Sequence, residues 1–143
     1  MSEETTTTET AAEAVEFGEE RVESARAIVE AERVMPADFA HNAALHYAKA
    51  LRKHPRFADA LFPSTDVAEA GQSLQEARDL VAHFVANGGV DGVMLAQCEI
   101  AESQFANAMH QKAACVDELY DAVAVLMRMI AVVEGKQKLG GEE

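Results

Sequence analysis

From Val93 to Glu134 the chain runs 42 residues without a glycine or a proline. Such a stretch has no built-in turn, so it is free to be helical throughout. Within it Leu95, Cys98, Phe105, Met109, Val116, Leu119, Val123, Leu126, Ile130 and Val133 fall on the alternating three- and four-residue steps of a heptad, interrupted only by Glu102 and Lys112. That spacing predicts a long buried apolar seam on one helical face. A straight helix of this length would span about 63 Å, too long for a compact bundle. Two outcomes are expected: a break near HQKAACVD (110–117), with Asp117 capping a further helix, or a protruding arm that packs on another chain.

The rest of the chain reads as shorter helices. Thr10 followed by Glu13 forms a capping box, and Val15, Gly18, Val22, Ala25 and Val29 step by three and four toward Val34. Pro36 ends that helix and suits the first turn of a second one, which runs to Lys53 ahead of Pro55. Residues 54–65, HPRFADALFPST, form a loop with apolar plugs Phe57, Leu61 and Phe62. Either Asp66 with Glu69 or Ser73 with Glu76 caps a third helix, stopped by NGG at 87–89. No alternating apolar–polar stretch marks a strand. The expected fold is all-α: a four- or five-helix bundle with a long C-terminal helical segment. A disordered acidic, Thr-rich tail at 1–9, a single helical domain at 10–136 and a flexible tail at 137–143 complete the organisation. The apolar mass comes from Ala, Val, Leu and Met, with 6% aromatics and no Trp, which suits close helix packing.

Charge is unevenly placed. The net charge is −13, yet residues 39–58 hold four basic residues and no acid, while residues 1–34 hold ten Glu and three Arg. Net acidity keeps a chain soluble and disfavours indiscriminate binding to nucleic acid or membrane, without forbidding one local basic contact. Lys49, Arg52, Lys53 and Arg56 form that basic cluster. Two physical readings compete. Basic side chains at a helix C-terminus complement its dipole for about 0.3–1 kcal/mol each; the same side chains can hold an RNA or single-stranded DNA backbone without reading its sequence. Tyr47 and Phe57 flank the cluster, and core packing is the expected fate of both. The Glu-rich first helix, with Glu13, Glu16, Glu19, Glu20 and Glu23, offers an alternative face for a basic protein surface, Glu16, Glu20 and Glu23 being the principal partner-binding candidates.

Reactive constellations are missing. There is no nucleophile elbow and no phosphate loop, and NGGVDGV follows a helix rather than a strand. Of the five histidines no two are four apart, and Asp38-x-x-His41 stands alone as a carboxylate–histidine pair. Glu99 with Glu102, and Asp117 with Asp121, each share a helix face; solvated surface is the expected role. Met127 and Met129 read as core filling or as a groove for a partner helix. No catalytic residue, metal site or cofactor is expected. Cys98 and Cys115 read as small core residues of a cytoplasmic protein, with no membrane segment.

Residues 36–51, PADFAHNAALHYAKAL, order Pro36, Phe39, Asn42 and then apolar positions to Leu51. This stretch resembles the second helix of the small all-helical subunits of type III CRISPR effector complexes. DELYDAVAVLMRMI at 117–130, opened by Tyr120, is similar to that family's C-terminal helix. Where the family has Gly after the asparagine this chain has Ala43, and Met127 or Met129 stands near the place of its C-terminal Trp. The resemblance implies a non-catalytic spacer of an antiviral ribonucleoprotein. Several copies would line a guide–target duplex and touch its backbone through the 36–51 helix and the basic turn after it. The expectation is therefore a non-enzymatic subunit that associates with other protein subunits or with itself, the alternative being an acidic regulator of a basic protein.

Overall fold

A computed structural model describes the backbone of residues 3–141 and the side-chain surroundings of residues 18–140. Among the described residues the fold is all-helical: α1 (Glu3–Val34), α2 (Phe39–Lys53), α3 (Val67–Ala86), α4 (Gly92–Ala108) and α5 (Lys112–Val133), followed by a short 3-10 turn at Leu139–Gly141. No helix among them is long and apolar enough to cross a membrane. The chain divides into two units, Met1–Met35 and Pro36–Glu143.

The first unit is the single helix α1. It begins at Glu3, ahead of the Thr10–Glu13 capping box expected to start it. The run of threonines does not stop the ladder, because Thr costs at most about 0.7 kcal/mol per residue in a helix. Val22, Ile28, Val29 and Val34 are exposed along it.

In the second unit the helix boundaries follow local chemistry. Pro36 is buried and precedes α2 instead of sitting in its first turn; Asp38, in the left-handed region at φ 50°, is the N-cap. Asp66 caps α3, its carboxylate accepting the Glu69 N–H at 2.9 Å. The Ser64 hydroxyl accepts from the Asp66 N–H and donates to the Glu69 carboxylate at 2.6 Å. This is the first of the two caps expected from sequence. Asn87 and two glycines of positive φ end α3, the Gly89 N–H reaching the Phe84 carbonyl at 2.8 Å. Asp91 caps α4 by accepting from the Met94 N–H at 2.8 Å.

The long glycine-free stretch does break, at the start of the expected 110–117 segment. His110 takes φ 58°, and α5 starts at Lys112, so Asp117 lies inside α5 and does not cap it. A single left-handed residue is enough to end a helix, and His is among the side chains that tolerate that region.

Packing centres on α4, which lies against both α3 and α5. The buried set is small-residued: Ala70, Ala96, Ala106, Ala108, Ala122 and Ala131 join Leu74, Phe62 and Cys115. Small side chains let helix backbones approach closely. Gly92 carries this furthest, since a Cβ there would lie 2.8 Å from the Cγ and Sδ of Met129. Of the three loop plugs only Phe62 is buried, against Ala106 and Cys115; Phe57 and Leu61 are exposed. Gln104 fixes the loop further by donating to the Ser64 carbonyl at 3.3 Å.

The expected continuous buried seam is not formed. Its α4 half is partly covered, but Val116, Leu119, Val123, Leu126, Ile130 and Val133 of α5 stay exposed. The reason lies in the break at His110. Once the chain reverses, α5 meets α4 through the side that carries Cys115, Ala122 and Met129. The heptad positions then lie about 70° further round the helix.

Candidate functional site

Helix α2 is the one α-helix of its unit with no buried residue. It is tied at its N-terminal end, where the Ala37 N–H donates to the Glu134 carboxylate at 3.0 Å and the Asn42 amide donates to the Ala37 carbonyl at 3.3 Å. Beyond that point it stands off from α5. The two helices flank a groove of about 590 Å³, walled by Phe39, Ala43 and His46 on one side and Val123, Leu126 and Ile130 on the other.

Lys49 and Lys53 continue the face that carries Asn42 and His46, at i, i+4, i+7 and i+11, so the apolar groove runs out into the basic turn. Lys49, Arg52 and Lys53 are exposed, and no carboxylate among the described residues pairs with them. Arg56 differs. It lies in the loop and is paired with Asp59, so the four-residue cluster resolves into three free cations and one neutralised one. The His54 N–H closes the helix on the Ala50 carbonyl at 2.8 Å.

The two aromatics beside the cluster depart from expectation. Tyr47 is 69% exposed and Phe57 81%, so neither is in the core. Tyr47 does not line the groove, and Phe57 lies in a loop anchored through Phe62 and Ser64 rather than through Phe57 itself. Tyr47 projects from α2 about 120–160° round from Lys49, Arg52 and Lys53, so ring and cations lie on different sides of the helix.

A second cluster lies where α4 meets α5. Glu99, Glu102 and Glu118 are half-buried, and one carboxylate oxygen from each lies within 4.8 Å of the others. From α3, Arg78 donates through Nη2 and Nε to Glu102 Oε1 at 3.1 and 3.3 Å. One guanidinium does not neutralise three carboxylates, and the surplus is relieved by protons. Hydrogen bonding to Glu102, then burial, pushes the Glu118 carboxyl up to about 7. Burial first, then the charge of Glu102, raises Glu99. The Cys98 thiol is raised by the same two causes in the same order, and an elevated thiol is a poor nucleophile. Sequence reasoning placed Glu99 and Glu102 on solvated surface; the reversal at His110 instead brings Glu118 to them. Spacing within one helix does not contain that meeting, and Glu118 carried no signal of its own. Three oxygens at this separation have the chemistry to hold a proton or a hard cation. The cluster lines neither the α2–α5 groove nor the recess between Val90 and Val132.

The acidic face of α1 is legible only in part. Glu19, Glu20 and Glu23 are exposed, while the side chains of Glu13 and Glu16 lie outside the described residues. Cys98 and Cys115 are both free thiols. Compared with known proteins, the chain matches no family model, no curated protein and no solved structure.

Proposed function

We propose that this chain is a non-enzymatic helical subunit of a larger assembly, in which the last turn of α2 touches a nucleic-acid backbone. The observation that carries the reading is the set of three exposed, unpaired cations, Lys49, Arg52 and Lys53, at the end of α2 in a chain of net charge −13. A dipole complement accounts for basic residues at that helix end, but not for the absence of any acid from residues 39–58. Such a subunit works as the small helical subunits of type III CRISPR complexes do, as a spacer holding phosphates without reading bases. Its acidity confines contact to one spot, since the surrounding field repels phosphate.

The test is fluorescence anisotropy on labelled single-stranded RNA over a salt series. Three phosphate contacts predict a log–log salt slope of about −2. Changing Lys49, Arg52 and Lys53 together to Ala should weaken binding by about tenfold or more and flatten that slope. Arg56→Ala should do much less, because Asp59 already neutralises Arg56. No RNA binding by the intact chain, or equal binding by the triple variant, rejects the reading.

A second reading, an acidic regulator of a basic protein, draws on the exposed Glu19, Glu20 and Glu23 of α1. Native purification separates the two: co-purifying RNA supports the first, a basic protein partner the second.

A further inference from the structure

We propose that α5 is the seam of a homodimer, in which α5 of a second copy lies parallel to it along the heptad stripe. The stripe has Val116, Val123 and Ile130 at one core position and Leu119, Leu126 and Val133 at the other. All six are between 40% and 87% exposed. β-branched residues at the first core position with leucine at the second favour two parallel strands, and the only departure here is Val133. A stripe serving merely as filler against α4 has no need of that alternation, and α4 meets α5 elsewhere.

The occupant proposed is a second copy of the chain, and charge does not oppose it. The positions flanking the stripe are Tyr120, Met127 and Glu134 on one side and Cys115, Ala122 and Met129 on the other. Glu134 is the single charge among them, and its carboxylate already accepts the Ala37 N–H. Two copies therefore meet along α5 without like-charge repulsion. Self-pairing of α1 would instead bring together two segments of net −7 each, since residues 1–34 hold ten Glu against three Arg.

The area is adequate. A large apolar side chain offers on the order of 100 Å². The stripe thus supplies several hundred Å² per copy, and the α2 wall of the adjoining groove brings this toward the roughly 800 Å² a stable interface takes from each partner. Helix α2, with no buried residue, leaves the groove open to a second helix. Packing on α4 already holds α5 helical, so the ordering cost that makes short isolated coiled coils weak is largely met before association.

Sedimentation equilibrium of the intact chain tests this across about 1 to 100 μM. The expected species has twice the 15.4 kDa mass of one chain. Leu126→Glu should raise the dissociation constant at least about 100-fold with unchanged helical circular dichroism, because Leu126 is half-exposed within its own chain. Ala124→Glu, exposed and off the stripe, should leave the dimer intact. Orientation is read by mixing. In a parallel pair residue 123 faces its own counterpart, so Val123→Lys and Val123→Glu should each be monomeric alone and should pair with one another. Recovery on mixing also shows that both variants fold. A wild type that stays monomeric throughout, a dimer indifferent to Leu126→Glu, or a mixture that does not pair overturns the proposal. The Lys49, Arg52 and Lys53 triple variant should remain dimeric, so this result and that of the nucleic-acid experiment are independent.

Discussion

Helix α5 shows two apolar faces of different make. Toward α4 it presents Cys115, Ala122 and Met129, and the contact is close enough that Gly92 has no room for a Cβ beside Met129. About a fifth of a turn away it presents Val, Leu and Ile at regular heptad positions, and these stay in contact with water. Size is thus inverted relative to the usual expectation that the largest apolar side chains mark the core. Small residues hold the chain to itself, and large ones are reserved for what comes to it. Apolar periodicity therefore reports that a face will be covered without saying by which chain.

The sharpest way to break that contrast is to make one chemical change on both kinds of surface. Leu74→Ala, at a buried position in α3, should cost about 2–5 kcal/mol in urea unfolding; Leu45→Ala, on the open side of α2, should cost under about 0.5 kcal/mol. Equal losses would mean that α2 is far better covered in solution. Next in size is overfilling. Ala122→Leu should destabilise by about 1–3 kcal/mol, since the added methylenes meet α4 at close range. A stabilised variant would show that the α4–α5 contact has slack.

The smallest effect lies at the polar seam of the same interface. Glu118 is raised to about 7 in the folded state from an ordinary value of 4.5, so the native chain binds the extra proton between those values. Its stabilising contribution is fully present below about 4.5 and is lost as pH rises through 7. Because the site is only half-buried and solvent screens it, about 1 kcal/mol is expected rather than the full shift. Glu118→Gln should recover roughly that amount at pH 8 and flatten the decline from pH 5 to 8 in thermal unfolding. An unchanged slope would place the proton elsewhere in the cluster.

Much of the fold was legible because helix ends are local events. Asp66 with Glu69 and the Asn87–Gly89 stop each act within a few residues, and the sequence displays them. The reversal was harder to place. His110 occupies the left-handed region without being Gly or Asn, so the sequence pointed to the 110–117 segment but to Asp117 as the cap, and left an unbroken arm as the alternative. Of the basic cluster the sequence located all four members, but not that Asp59 claims Arg56 while the other three remain unpaired. Tyr47 and Phe57 were expected inside because aromatics usually are. Their exposure follows from how little of α2 and the 54–65 loop is packed, which no single-residue rule contains.

His110 also sets a lever. In an unbroken helix Glu102 and Glu118 would stand about 24 Å apart; folding back at residue 110 makes them neighbours, roughly 12 Å from the bend. Gly92 meets Met129 more than twice as far out. Repulsion among the carboxylates therefore acts close to the pivot, and a displacement there corresponds to about twice as much at the tips of the hairpin, where the tolerance is smallest.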